Sequence, residues 1–273
     1  MKKIGFVDYY ISEWHAENYP AWIKAASERL GGEEMAVAYA YAERDSSPLN
    51  GETTAEWCAC HGVEMCESID ELCEKSDFII VLAPSNPEVH PRLSAPVLAH
   101  GKPTYIDKTF ADSYADAKLI FAEAAKSGAP FFSTSALRYA SELDGKCGYT
   151  EICTTGGGSN APEYIIHQVE MVVKTLGIGA TGVTCESEGD ELVFRISYPD
   201  SRRAEMRYNP KHSFSATLSG GEKEACSLKI ESDFFAGLIE SILRFFTTKT
   251  LPFNPEETLE VMKIREWAVK AMA

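Results

Sequence analysis

The segment APEYIIHQVEMVVKTLG reads as a helix that carries three groups able to hold or move protons. Glu163 and His167 are four residues apart and so share a helix face, with Glu170 one further turn along. A carboxylate within reach of an imidazole orients the ring, fixes its tautomer and raises its basicity, which suits a general base that takes a hydroxyl proton. Lys108 follows the apolar run PTYID and falls where open α/β sheets place their ligands; there it could stabilise an alkoxide or polarise a carbonyl. Each group also has an ordinary reading. A Glu–His pair four apart on an exposed helix contributes only about 0.2 to 0.5 kcal/mol, and a lysine after a strand commonly faces solvent. His90 fits a helix start as well as a ligand contact. Arg138, after PFFSTSA, fits either a substrate oxygen or a salt bridge between domains.

Those groups need a scaffold, and the composition bounds it. The chain has 273 residues, 45% of them hydrophobic, enough for two modest cores. Its formal net charge of −15 repels phosphate backbones and anionic headgroups, so nucleic acid and membrane surfaces are excluded as partners. The start MKKIGFVDYY lacks the apolar run of a signal peptide, no segment reaches the roughly 18 apolar residues of a membrane span, and a cytoplasmic protein is expected. Eight scattered cysteines read as reduced thiols. Cys58, Cys60, His61 and Cys66 in CACHGVEMC match no common zinc spacing, and no metal is expected.

Along the first half, KKIGFVDYY, EMAVAYAYAE, DFIIVLAP, PTYIDK and PFFSTSA read as strands. Between them WIKAASERL, SIDELCEK with Ser68 as its cap, NPEVHPRLSAPVLAHG and SYADAKLIFAEAAKSG read as helices. This alternation predicts a parallel, doubly wound α/β sheet over residues 1–135. From about residue 147, short segments with apolar alternation, among them YTEICTT, GVTCESE, ELVFRISYP, RRAEMRYN, SFSATLSGG and EACSLKIES, predict an antiparallel sheet. With the helix described above and two more at the end, residues 136–273 form a smaller α+β domain. The fold class is therefore α/β plus α+β.

Two blocks carry a family resemblance. Pro84-Ser85-Asn86 with His90, then Gly101-Lys102-Pro103 with Asp107-Lys108-Thr109, resemble the T-P-N-x-x-H and A-G-K-x-V-x-x-E-K-P elements of the glucose-fructose oxidoreductase and inositol dehydrogenase family (Gfo/Idh/MocA). Gly156 to Gly158, Glu163, His167, Glu170 and Gly177 are similar to that family's G-G-G, D-x-G-x-H-x-x-D, L-x-G run. Asp107 stands for a glutamate, Thr109 for a proline, and glutamates stand for both aspartates. Between Arg138 and Gly156 the chain is several tens of residues shorter than the family usually is. The resemblance covers nearly the whole chain and implies a Rossmann-like first domain, a nicotinamide cofactor (NAD or NADP), and a sugar, polyol or related small hydroxy compound as substrate. It assigns hydride-transfer chemistry to Lys108, Glu163 and His167, and substrate contact to Lys108, Arg138 and His167. Pro84, Ser85, His90 and Asp107 fall where the family touches its cofactor. It further implies a homo-oligomer formed through the C-terminal sheet, consistent with a sheet that has one apolar face to cover.

The phosphate-gripping turn departs from the family. Where the family reads G-x-G-x-x-G, this chain has Asp8, Tyr10 and Ser12 or Glu13. Glycines there permit a tight turn and close approach to pyrophosphate. A carboxylate at Asp8 and a ring at Tyr10 remove both allowances, and dinucleotide affinity is expected to be weak, on the order of 100 µM or worse. Glu43 and Arg44, after the second strand, offer an acid for a ribose and a cation for a 2′-phosphate. Three readings follow: an oxidoreductase with an altered grip on its cofactor, a relative that has lost the cofactor and binds a metabolite or regulates a partner, and a lyase or hydrolase that uses Lys108 and His167 for proton transfer alone.

Overall fold

The computed structural model describes residues 1–272. Two compact units are present: Met1–Ser133 with Leu238–Phe253, and Thr134–Gly237 with the residues from Asn254 onward. The boundary read at residue 135 falls at 133/134, and the segment 238–253 returns to the first unit.

In the first unit, β1 (Lys2–Asp8), β2 (Met35–Ala42), β3 (Glu64–Met65), β4 (Phe78–Val81), β5 (Thr104–Ile106) and β6 (Phe131–Phe132) form one sheet in the order β3-β2-β1-β4-β5-β6. Every pair in it is parallel. This is the doubly wound order, in which ligands sit beyond the carboxyl ends of the strands at the β1/β4 switch point. The connecting helices are α1 (Trp14–Leu30), α2 (Thr54–His61), α3 (Ile69–Lys75), α4 (His90–Ala99) and α5 (Tyr114–Ser127). Most begin on local signals: Ser68 and Ser113 cap α3 and α5, and Thr53 with Glu56 forms a capping box at α2. The core strands β1 and β4 bury Ile4, Phe6, Ile79 and Ile80 completely, as an apolar strand covered on both faces should.

In the second unit, β7 (Glu151–Gly156), β8 (Gly182–Glu188), β9 (Glu191–Ser197), β10 (Arg203–Tyr208), β11 (Ser215–Ser219) and β12 (Cys226–Lys229) form a sheet in the order β12-β11-β7-β10-β9-β8. It is mixed, because β7 and β10 run parallel while the remaining pairs are antiparallel. Alternation in a strand is the same for either direction, so the pattern could not reveal this pair. The long connection through α6 (Ala161–Leu176), β8 and β9 permits it.

Phe194, Ile196, Ala204 and Met206 are buried on one face of this sheet. Helix α6 packs there, and Gln168 ties it down by donating to the carbonyls of Gly156 and Arg207 and accepting from Thr154 Oγ1. This apolar face is thus covered within the chain by α6. Arg195 and Arg207 alternate to the opposite face, where Glu186, Glu188, Glu191 and Glu205 pair with them. Gly157 is required where it stands: a Cβ there would come within 2.5 Å of Asn209 O and 2.7 Å of Pro210 O, both backbone atoms. Helices α7 (Phe234–Thr248) and α8 (Pro255–Ala271) end the chain. Among the described residues no helix is long and apolar enough to cross a membrane.

Candidate functional site

At the carboxyl ends of β1 and β5, the first unit gathers ionisable groups in its interior. Asp8 closes β1 and is 1% exposed; its Oδ1 accepts from Tyr9 N at 2.6 Å and from Ala83 N at 3.0 Å, while Oδ2 is buried without a hydrogen-bond partner. Ala83, just past β4, takes a left-handed φ of 65°. The Asp8 bond to its amide helps hold that uncommon backbone.

Asp107 follows β5 and is equally buried. Its Oδ1 accepts from Tyr105 Oη at 3.0 Å and Lys108 N at 2.8 Å, and its Oδ2 lies 3.1 Å from His15 Nδ1. Glu13 completes the group. It is the N-cap of α1, its Oε2 accepting from His15 N at 2.8 Å and its Oε1 from Ala16 N at 2.6 Å. Sequence reasoning set Glu13 only against a missing glycine and passed over His15. The available signal was a carboxylate two residues before a histidine at a helix start, a weak one because glutamate is not a favoured N-cap.

Burial governs the protonation of this cluster. It pushes Asp8 well above the usual carboxylate range and raises Asp107, and it lifts Glu13 to about 8 against the pull of its two amide donors. An unfolded glutamate releases its proton near 4.5, so between there and about pH 8 the folded chain binds more protons than the unfolded one. Stability contributed by this group is complete at the acid end and is lost as pH rises through that window. The urea midpoint of the wild-type chain is therefore expected to fall between about pH 5 and pH 8, and Glu13→Gln, which cannot ionise, should flatten the fall. An equal slope in both proteins would show that Glu13 does not hold the proton.

The other residues marked in the first unit have these surroundings. Lys108 Nζ donates to Pro84 O at 3.2 Å, and the Lys108–Thr109 peptide bond is cis. His90 is fully buried, with Nδ1 3.0 Å from Phe110 O and Nε2 against Leu82 O; burial holds its pKa down. Each ring nitrogen thus lies beside a backbone carbonyl of the loops after β4 and β5, and the neutral ring donates to one of them. Ser85 is exposed beside buried Pro84. Glu43 receives Arg92 through two bonds, of 2.8 and 2.6 Å, and the guanidiniums of Arg44 and Arg92 lie 5.7 and 5.5 Å from the centre of the Tyr9 ring. Tyr10 packs on Tyr9, ring centres 5.8 Å apart. Lys102, which carried part of the resemblance, donates to the carbonyls of Cys73 and Ser76 at the end of α3, a favourable place for a cation.

The second unit holds the rest. His167, half-buried on α6, has Nδ1 2.7 Å from Ser135 Oγ and sits edge-on to Tyr164 and Phe214. Ser135 was not singled out by sequence. Glu163 lies in the first turn of α6, where its Oε2 accepts from Asn160 Nδ2 at 3.1 Å. Glu170 is buried and accepts from Thr134 Oγ1, from Ser135 N and from Arg138 Nε, the last at 2.8 Å. Arg138, also buried, donates through Nη1 to Glu257 at 2.8 Å. Its salt bridges lie inside this unit. Ser135 is held through its amide by Glu170 and holds His167 through its hydroxyl, so the Glu170–Arg138 pair sets the ring indirectly.

Cys58, Cys60 and His61 lie on α2, with His61 stacked on Trp57 at 4.1 Å, and burial lifts Cys58 and Cys66 to about 11. Among the described residues no group of three or more His, Cys, Asp or Glu is placed to hold a metal ion.

No protein-family model matches the sequence, and no curated protein matches it. Solved structures do. The GenD2 protein of gentamicin A biosynthesis, in complex with NAD, is 12% identical with a TM-score of 0.75 over 99% of this chain and 94% of its own. UDP-N-acetylglucosamine 3-dehydrogenase from Acidithiobacillus ferrooxidans is 11% identical with a TM-score of 0.73 over 97% of this chain and 98% of its own. Biliverdin reductase from Synechocystis, in complex with biliverdin and NADP+, is 15% identical with a TM-score of 0.70 over 98% of each chain. The two-part fold implied by the resemblance to the Gfo/Idh/MocA family is the fold observed.

Proposed function

We propose that this chain is an oxidoreductase of the Gfo/Idh/MocA type acting on a sugar, polyol or related small hydroxy compound. The observation that carries the reading is the placement of Asp107-Lys108 directly after β5 of a doubly wound sheet, on a fold matched over 97% of the chain by a UDP-N-acetylglucosamine 3-dehydrogenase and over 99% by a protein bound to NAD. In this reading Lys108 holds a substrate oxygen and stabilises charge developing on it. His167, its ring set through Nδ1 by Ser135, exchanges a proton with the substrate hydroxyl at Nε2, and Glu163 tunes the face on which it works. Arg138 supports this arrangement through Glu170. The chain is read as a cytoplasmic homo-oligomer associating through its C-terminal sheet, which sedimentation of the purified protein tests.

Enzymes of this type take their oxidising equivalent from NAD or NADP. Part of the frame suits a dinucleotide: Glu43 and Arg44 follow β2, where an adenosine ribose or its 2′-phosphate belongs, and Arg92 from α4 joins them beside Tyr9. The turn after β1 does not fit a pyrophosphate. The first amides of α1 are taken by Glu13, and two more buried carboxyls stand beside it: beyond the larger effect of burial, Glu13 raises the pKa of Asp8 and Asp107 raises that of Glu13. That observation favours a second reading, a relative that binds a small polar metabolite without redox turnover.

Calorimetry separates the two. With NAD, NADH, NADP and NADPH in turn, the oxidoreductase reading expects one to bind with a dissociation constant on the order of 100 µM or weaker, and Asp8→Gly with Tyr10→Gly to tighten it. No heat from any of the four at millimolar concentration would sink that reading in favour of the second. A constant near 1 µM would mean that the turn grips phosphate by another route.

A further inference from the structure

We propose that Glu13 is a built-in occupant of the phosphate position at the start of α1, and that phosphate groups are excluded from this helix until its carboxylate swings out. The proposal deepens the oxidoreductase reading above and rests on it only where a dinucleotide is concerned. A helix start attracts phosphate because its first amides lack partners within the helix. Here the amides of His15 and Ala16 each have one, a separate oxygen of the same carboxylate, at 2.8 and 2.6 Å. The Glu13 side chain is only 5% exposed, so it fills the space and does not merely lean across it.

Two independent features set this position against an incoming phosphate. The turn that carries it is fastened from outside: Ser47 Oγ donates to Ser12 O at 2.7 Å and Asn50 Nδ2 donates to Ser12 Oγ at 2.8 Å. The wall behind it is acidic. Asp8 Oδ2 is buried with no hydrogen-bond partner, and Asp107 reaches the same interior from β5. The ionisable groups that face Glu13 are Asp8 from β1, His15 and Tyr19 from α1, and Asp107 and Lys108 from the β5 loop. An arriving pyrophosphate would have to displace the Glu13 carboxyl from both amides before it could gain them.

The test uses the full chain with two substitutions. Glu13→Ser keeps a favoured N-cap, so the helix still starts, but vacates the space. Glu13→Asp keeps both the cap and the carboxyl group. Inorganic pyrophosphate, titrated by calorimetry, is the probe for the occupant; the four dinucleotides are the probe for the function. Glu13→Ser is expected to bind pyrophosphate about tenfold or more tightly than wild type, with Glu13→Asp remaining like wild type. Equal pyrophosphate affinity in Glu13→Ser and wild type, with melting curves showing both folded, overturns the proposal. So does a Glu13→Asp chain that binds as tightly as Glu13→Ser. If Glu13→Ser gains pyrophosphate but no dinucleotide, the occupant stands and the oxidoreductase reading fails.

Discussion

Replacing His167 with glutamine, or Lys108 with methionine, is expected to lower kcat on an accepted sugar or polyol by roughly 10²- to 10⁴-fold, the usual contribution of a positioned acid or base. Both substitutions keep the size of the side chain. His167 is half-buried, with its Nδ1 on Ser135 Oγ, and Lys108 touches only a backbone carbonyl among its side-chain bonds, so neither should unfold the protein. Steady-state rates for the three proteins decide the matter: activity within about threefold of wild type in both variants would remove these residues from the chemistry.

A second large effect is expected from stability alone. Glu170 is 2% exposed and carries the charge that compensates Arg138, itself 6% exposed, while accepting two further bonds from Thr134 and Ser135. Truncating one partner of such a pair leaves an uncompensated charge in the interior, a loss of about 3 to 5 kcal/mol. For a chain of this length Glu170→Ala should lower the melting temperature by roughly 10 °C. Glu170→Gln retains acceptors for the hydroxyl and the amide and should fall between alanine and wild type. If the alanine variant melts with wild type, Glu257 alone is sufficient partner for Arg138, and Glu170 is not what fixes the Ser135–His167 contact.

Much of the architecture was legible because local rules and tertiary outcome agree. The apolar run FIIV could be stable only as a covered strand, and it is the centre of the parallel sheet as β4. Ser68 before IDELCEK and Asn160 before APEYIIH cap their helices as their types predict. The alternation in ELVFRIS and RRAEMRY placed Phe194 and Met206 on one face and Arg195 and Arg207 on the other. Helix α2 is announced only by the T-T-A-E capping box, since its eight residues bury just Thr54, Trp57 and Cys58 and carry little apolar periodicity.

The sequence by itself determined which residue types stand at each strand end: an acid and two tyrosines after β1, an acid and a lysine after β5, an imidazole in the middle of α6. These follow from neighbours along the chain, where periodicity and capping operate. Only the tertiary structure decided what those residues do to one another. Asp8 and Asp107 are 99 residues apart in sequence yet share one interior, because β1 and β5 both flank β4. Glu13 reads as a loop acid until the sheet buries it; burial then keeps its proton and turns it toward the two amides of its own helix. Arg138 reads equally as a substrate contact or a salt-bridge partner, and its partners Glu170 and Glu257 come from two other segments. Desolvation and long-range charge pairing depend on what surrounds a group in space, and a linear pattern carries no record of that.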